Sequence, residues 1–226
     1  VTLSTPLDPL SVVQATDTVT INGKAFTTTF DKSVSPNTVT RITAASRTTV
    51  TEVNALGRPT KVTVQGALNL APTAMTYYGA ADGIKSGRLK TVTQTDGVQT
   101  RLYTLDYDGG GNLLSIAGPL NRTVLFSYDQ ATRVTSKTFP DNEQVRFFYD
   151  QNGNLERLAQ PGTPLLIGPA DAHDFVSDNR DMLQTYNPPA IGLPNHDTTF
   201  LYTADAELDR VTRPDALTVD PSYDAA

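Results

Sequence analysis

Two histidines, His173 and His196, are each followed by aspartate. A His–Asp pair is the orienting half of a nucleophilic triad, and it needs an activated nucleophile beside it. The chain has no cysteine and no G-x-S-x-G elbow. Both histidines lie in proline-rich stretches, which we read as exposed loops. As metal ligands they lack H-E-x-x-H spacing, and carboxylates would have to complete the shell. Asp171, Asp174, Asp178 and Asp181 form an acidic run that reads as a solvated loop, with a weak calcium site as the alternative. The stretch from Asp150 to Glu156 has the alternating oxygens of a calcium loop. However, Leu155 stands where that loop needs glycine, and Pro161 takes its twelfth position. The glycine-rich run Asp108–Asn112 lacks the Lys-Ser/Thr of a phosphate loop. The 24 acidic residues single out no carboxylate pair for glycoside hydrolysis. Asn121-Arg122-Thr123 is a formal glycosylation sequon. We expect no catalytic residue, no metal ligand and no cofactor.

The elements that would carry such residues are strands. The 226 residues include 15 Pro and 15 Gly, which disfavours long helices. Threonine supplies about one residue in seven and, with valine, suits a pleated surface. No run of 18 apolar residues is present, so no membrane-spanning helix is expected. The net charge is −6. Residues 1–105 carry ten basic and six acidic side chains, and residues 106–226 carry eight and eighteen. Such a balance excludes nucleic acid as a partner, because phosphate binding needs clustered Lys and Arg. The chain starts at Val1 without Met or a targeting pattern, and we read it as a piece of a longer protein.

Self-comparison reveals a period. Tyr107-Asp108, Tyr128-Asp129 and Tyr149-Asp150 are spaced by 21 residues, as are Tyr202 and Tyr223-Asp224. Leu113, Val134, Leu155 and Leu208 each stand six residues after their tyrosine. Pro119, Pro140, Pro161 and Pro214 each stand twelve after it. Three landmarks in one phase define an internal repeat, whose units stack because none can bury its face alone. Val145, Phe147 and Tyr149 alternate with Arg146 and Phe148, the pattern of a strand with one covered face. Each unit therefore reads as a β-hairpin. The Tyr ends a strand with its ring on the core side, stacked near the equivalent ring of the next unit. The Asp closes the turn by accepting backbone N–H groups, and Gly111 or Gly153 takes positive φ before the next strand. A second turn carries the proline.

The phase drifts elsewhere. Val53-Asn54 replaces Tyr-Asp, Tyr78 anchors a unit with an insertion before Gly87, and Thr132 and Ala206 take the Gly place. Residues 162–199 form an irregular, loop-rich unit in which Phe175 stands at the Tyr position. Residues 1–52 read as further strands continuous with the array, with Asn22-Gly23 as a hairpin turn. The array proper covers 53–226 and stops inside a unit at Tyr223-Asp224.

The residues from Tyr107 to Gly162 resemble the YD-repeat (Rhs) family of bacterial Rhs proteins, insecticidal toxin complex C components and teneurins. The resemblance covers about 50–226. It implies an all-β fold, an array of antiparallel hairpins forming a long curved sheet, one segment of a spiral β-shell. It implies a non-enzymatic scaffold that, in a secreted or cell-surface parent, encloses a C-terminal toxin or effector domain. The partners are then the remaining repeats and that domain, with self-association through exposed strand edges. The alternative is an adhesion module contacting carbohydrate or protein through the sheet face or the 162–199 segment.

Overall fold

A computed structural model describes residues 1–5, 11–66, 70–162, 171–189 and 196–223. Among the described residues it holds nineteen strands and two short 3-10 segments, Ala80–Lys85 and Pro119–Asn121. The fold class is all-β. The chain divides into two units, Val1–Arg122 and Thr123–Ala226.

In the first unit the strands are β1 (Thr2–Leu3), β2 (Val12–Ile21), β3 (Lys24–Asp31), β4 (Asn37–Ile42), β5 (Thr48–Val53), β6 (Pro59–Gln65), β7 (Leu70–Tyr77), β8 (Leu89–Thr95), β9 (Thr100–Tyr107) and β10 (Leu113–Ala117). Each pairs antiparallel with the next in a meander. The β2–β3 hairpin keeps eight cross-strand pairs in one register, from Gln14 opposite Asp31 to Ile21 opposite Lys24. Its loop is Asn22-Gly23 with φ of 50° and 73°, the left-handed pair whose twist matches the strands it joins. Threonine hydroxyls pair across neighbouring strands, Thr16 with Thr29 at 3.1 Å and Thr76 with Thr91 at 2.6 Å. These pairs fasten the face opposite the tyrosines.

In the second unit the strands are β11 (Thr123–Tyr128), β12 (Val134–Thr138), β13 (Gln144–Tyr149), β14 (Leu155–Ala159), β15 (His173–Ser177), β16 (Leu183–Asn187), β17 (Thr198–Tyr202), β18 (Leu208–Thr212) and β19 (Thr218–Val219). They also form an antiparallel meander. Register shifts recur one residue before Tyr128, Tyr149, Ser177 and Tyr202, so a bulge accompanies each turn.

Only Val53, Ala159 and Ala172 are buried apolar residues among those described. The rest of the apolar face is half-covered. In β7, Ala71, Thr73, Met75 and Tyr77 are half-buried while their alternates Leu70, Pro72, Ala74 and Thr76 are exposed. In β17, Phe200 and Tyr202 are half-buried and Thr199 and Leu201 exposed. The tyrosine-bearing face is thus the covered one in each of these strands.

The register corrects three details. Tyr77, not Tyr78, ends β7 opposite Leu89, which is the place of Tyr149 opposite Leu155. Tyr78 stands at the Asp place, because its backbone closes the turn with Arg88 and Gly87 as that of Asp150 does with Asn154 and Gly153. Ser177 pairs with Leu183 as Tyr202 pairs with Leu208. Ser177 therefore holds the Tyr position, and Phe175 lies two residues inside β15. Finally, His173 opens a strand rather than sitting in an exposed loop, because β15 pairs with β14 from Leu158 opposite His173. Within 162–199 the described residues include a regular hairpin, β15–β16, while 163–170 and 190–195 lie outside the described residues.

Candidate functional site

The recurring Asp turn is built the same way at successive positions. The Asp108 N–H donates to the Asn112 carbonyl at 2.9 Å, and the Gly111 N–H donates to the Asp108 carbonyl at 3.0 Å. Asp129 with Arg133 and Thr132, Asp150 with Asn154 and Gly153, and Asp178 with Met182 and Asp181 repeat both bonds. So do Asn54 with Arg58 and Gly57, and Thr203 with Glu207 and Ala206. Tyr78 keeps them with Arg88 and Gly87 across its longer loop. The residue before the last always has positive φ, from 61° at Asp181 to 96° at Gly153. This is the three-residue hairpin loop that ends in a left-handed residue.

The Asp side chain adds two more bonds. Asp129 Oδ1 accepts the Ala131 N–H at 2.9 Å and the Arg133 N–H at 3.0 Å. Asp108 does the same for Gly110 and Asn112, and Asp178 for Arg180 and Met182. These donors hold the carboxyls below the ordinary aspartate range. At Asp108 the Asn112 N–H contributes most, and at Asp129 the Arg133 N–H. At Asp150 it is the Asn154 side-chain amide. At Asp178 partial burial pushes upward, but the N–H groups of Met182 and Arg180 together outweigh it.

The tyrosines face the strand before their own. Tyr149 donates its hydroxyl to the Val134 carbonyl at 2.9 Å, Tyr202 to Leu183 at 3.0 Å, and Tyr223 to Leu208 at 2.9 Å. In the first unit Tyr77 bonds Pro59 at 2.7 Å and Tyr107 bonds Leu89 at 2.9 Å. The acceptor is each time the first residue of a strand that leaves an Asp turn. Val134 and Leu208 therefore couple to a tyrosine through their backbone. Tyr128 ends β11, and Leu113 and Leu155 open β10 and β14. The rings do not stack on one another in series. Among the described residues, Tyr78 and Tyr107 form the single tyrosine pair, edge to face at 6.0 Å. What lies over the rings instead is arginine: Arg133 over Tyr149 at 4.5 Å, Arg88 over Tyr107 at 5.3 Å, and Arg58 over Tyr77 at 5.6 Å. The sequence reading missed these three arginines, although each directly follows the left-handed residue of its turn.

The proline turns use the same closure. Phe139 and Glu143 bracket Pro140, and Arg213 and Leu217 bracket Pro214, with Asn142 and Ala216 in the left-handed region. Pro119 opens the 3-10 segment of its turn. Beside Pro161, the Gly162 N–H reaches Glu143 Oε2 in the preceding proline turn at 2.5 Å. Asp224 lies outside the described residues.

The groups first considered for chemistry are dispersed into local bonds. His173 Nδ1 meets the Tyr186 hydroxyl at 2.6 Å, its other nitrogen meets the Gln160 side chain, and its ring stacks on Tyr186. His196 is half-buried just ahead of β17. Asp174 pairs with Arg157 at 2.5 Å. Asp181 accepts the side-chain amides of Asn152 and Asn154, each at 2.8 Å. Among the described residues no three His or acidic side chains converge as a metal site. The arrangement is one of joints between strands.

Two measurements check this reading of the joints. Tyr149→Phe should cost about 1 kcal/mol by removing one hydrogen bond, and Tyr149→Ala about 3 kcal/mol by also removing the ring. Equal denaturant midpoints for all three proteins would refute the coupling. Lowered carboxyl pKa values mean that the folded state holds fewer protons than the unfolded one. The stabilisation is therefore complete above about pH 4, the ordinary aspartate value, and is lost as pH falls below it. Asp129→Asn should flatten this acid loss below about pH 4, as followed by circular dichroism, and an unchanged slope would count against it.

With the joints in place, the chain can be set beside known proteins. A family model described as Teneurin YD-shell matches residues 4–165. No curated protein sequence matches. Among solved structures, the crystal structure of TcdB2-TccC3-Cdc42 aligns with 93% of this chain at 13% identity and a TM-score of 0.50. The crystal structure of TcdB2-TccC3 aligns with 92% at 13% identity and a TM-score of 0.50. In both, the chain spans about 15% of the matched chain's length, and the likeness is one of fold. Matched over more than two thirds of its residues, the chain belongs to the Teneurin YD-shell family.

Proposed function

We propose that the chain is a non-enzymatic wall segment of a YD-repeat shell. In its parent, a secreted or cell-surface protein, it joins the remaining repeats to form a curved sheet around a C-terminal effector domain. One observation carries this reading. The same closed turn recurs at seven successive positions; where Asp opens it that Asp closes its own loop, while tyrosine hydroxyls reach the preceding strand and arginines lie over the rings. Polar groups committed to joints serve continuity of the sheet, and a repeat array extends by adding such units.

The strand edges supply the contacts to the rest of the wall. β19 pairs with β18 alone among the described strands, and its Val219 is exposed. β1 covers β2 only at Val12 and Gln14, which leaves Ala15–Ile21 as an open edge among the described residues. Open edges pair with other strands. Light scattering on the 24.3 kDa chain at high concentration should give a mass above that of the monomer. A strictly monomeric species would remove the edge-pairing reading.

Enclosure is tested in the parent protein. Limited proteolysis of the intact parent should leave its terminal domain whole under conditions that digest the same domain expressed alone. Equal digestion rates would overturn the enclosing role while leaving the wall geometry intact.

A further inference from the structure

Each Asp turn ends in a left-handed residue followed by one closing residue, and the closing residues differ. For the first six turns they are Arg58, Arg88, Asn112, Arg133, Asn154 and Met182 in chain order, and Glu207 closes the seventh. The left-handed residues of the turns that come next are, in the same order, Gly87, Gly111, Thr132, Gly153, Asp181 and Ala206. A turn that closes with arginine is followed every time by glycine, and a turn that closes with anything else by a residue with a side chain.

The geometry gives the reason. A Cβ added to Gly87 would lie 2.6 Å from Arg58 Nη1, and one on Gly111 would lie 2.9 Å from Arg88 Cζ. One on Gly153 would lie 3.3 Å from Arg133 Nη1. At Gly87 and Gly111 the guanidinium of the preceding turn thus occupies the place of a Cβ, and at Gly153 it stands in tight contact with that place, while its Cζ lies over that hairpin's tyrosine. Gly57, whose preceding connection is not an Asp turn, has nothing within 4 Å of the same point. Where asparagine closes the turn, the space is used differently. Asn154 Nδ2 donates to the side chain of Asp181, which itself holds the left-handed position at φ 61°.

We infer that the closing residue of one turn and the left-handed residue of the next form a matched pair, and that these pairs determine which hairpin can follow which in the array. This goes beyond the wall reading and does not depend on what the wall encloses. Arginine keeps its place over the ring when glycine stands ahead of it, and a side chain there makes the guanidinium shift. Asn154 accepts a polar side chain there and bonds to it.

The test is a cycle of unfolding measurements on the whole chain. Gly57→Ala reports the backbone cost of the left-handed region alone. Gly153→Ala should lower Tm further than Gly57→Ala, by about 2 °C or more. In an Arg133→Asn background that excess should vanish. An equal loss from Gly153→Ala in both backgrounds would overturn the inference, because residues that do not interact give additive effects. The reverse conversion keeps the test decisive should Gly153→Ala fail to fold. Asn154→Arg should lower Tm by itself and recover when combined with Asp181→Gly, and failure to recover would equally overturn the pairing.

Discussion

The structure depends on the hydrogen bonds that the hydroxyls of Tyr77, Tyr107, Tyr149, Tyr202 and Tyr223 make to a carbonyl of the strand before them. A domain ordinarily covers its apolar face by packing a second layer against it. Within each unit here, the strands form one meander, and few side chains are fully buried. Coverage must come from sideways contacts within the sheet. A tyrosine whose ring lies flat across the neighbouring strand covers that strand, and its hydroxyl meets a carbonyl beside the turn. The ring contributes area and the hydroxyl fixes its direction. The arginine above it then shields the ring's outer side with a charge that stays partly in water.

This constraint explains why the repeat was readable from sequence and why some of its details were not. Tyr, Leu and Pro recur in one phase because each marks a fixed place relative to the two turns, and hairpin geometry allows no drift in those places. The partner of each ring is another matter. Tyr128 and Tyr149 belong to β11 and β13, with β12 between them, so their backbones lie about 9–10 Å apart at ordinary strand spacing. The intervening strand supplies the carbonyl and the turn that opens it the arginine, and the Tyr149 ring meets these first. Tyr78 misled for a different reason. Two adjacent tyrosines fit the anchor equally well in sequence, and only the register of β7 against β8 separates them. Ser177 left no aromatic signal at its anchor position, so Phe175 drew the eye two residues early. The histidine at 173 looked exposed because its flanks are rich in proline, yet β15 pairs with β14 on one side and with β16 on the other, which stacks His173 on Tyr186.

The acidic balance of residues 106–226 also acquires a structural meaning. Much of that charge sits in turns, where a carboxylate collects two backbone N–H groups that would otherwise face water at a strand end. Asp174 and Asp181 are committed in the same way to Arg157 and to the asparagines of the preceding turn. Part of the acid excess therefore closes turns, at Asp108, Asp129, Asp150 and Asp178.

The loop after Tyr78 deserves a last consideration. It carries the extra segment Ala80–Lys85, yet both closing bonds, from Tyr78 to Arg88 and from Gly87 to Tyr78, are made as in the short turns. The strands on either side are therefore blind to the length of what is threaded between those bonds. Such an edge is a natural port for diversification: new peptide can be spliced in, lengthened or lost there while the sheet beneath keeps its frame.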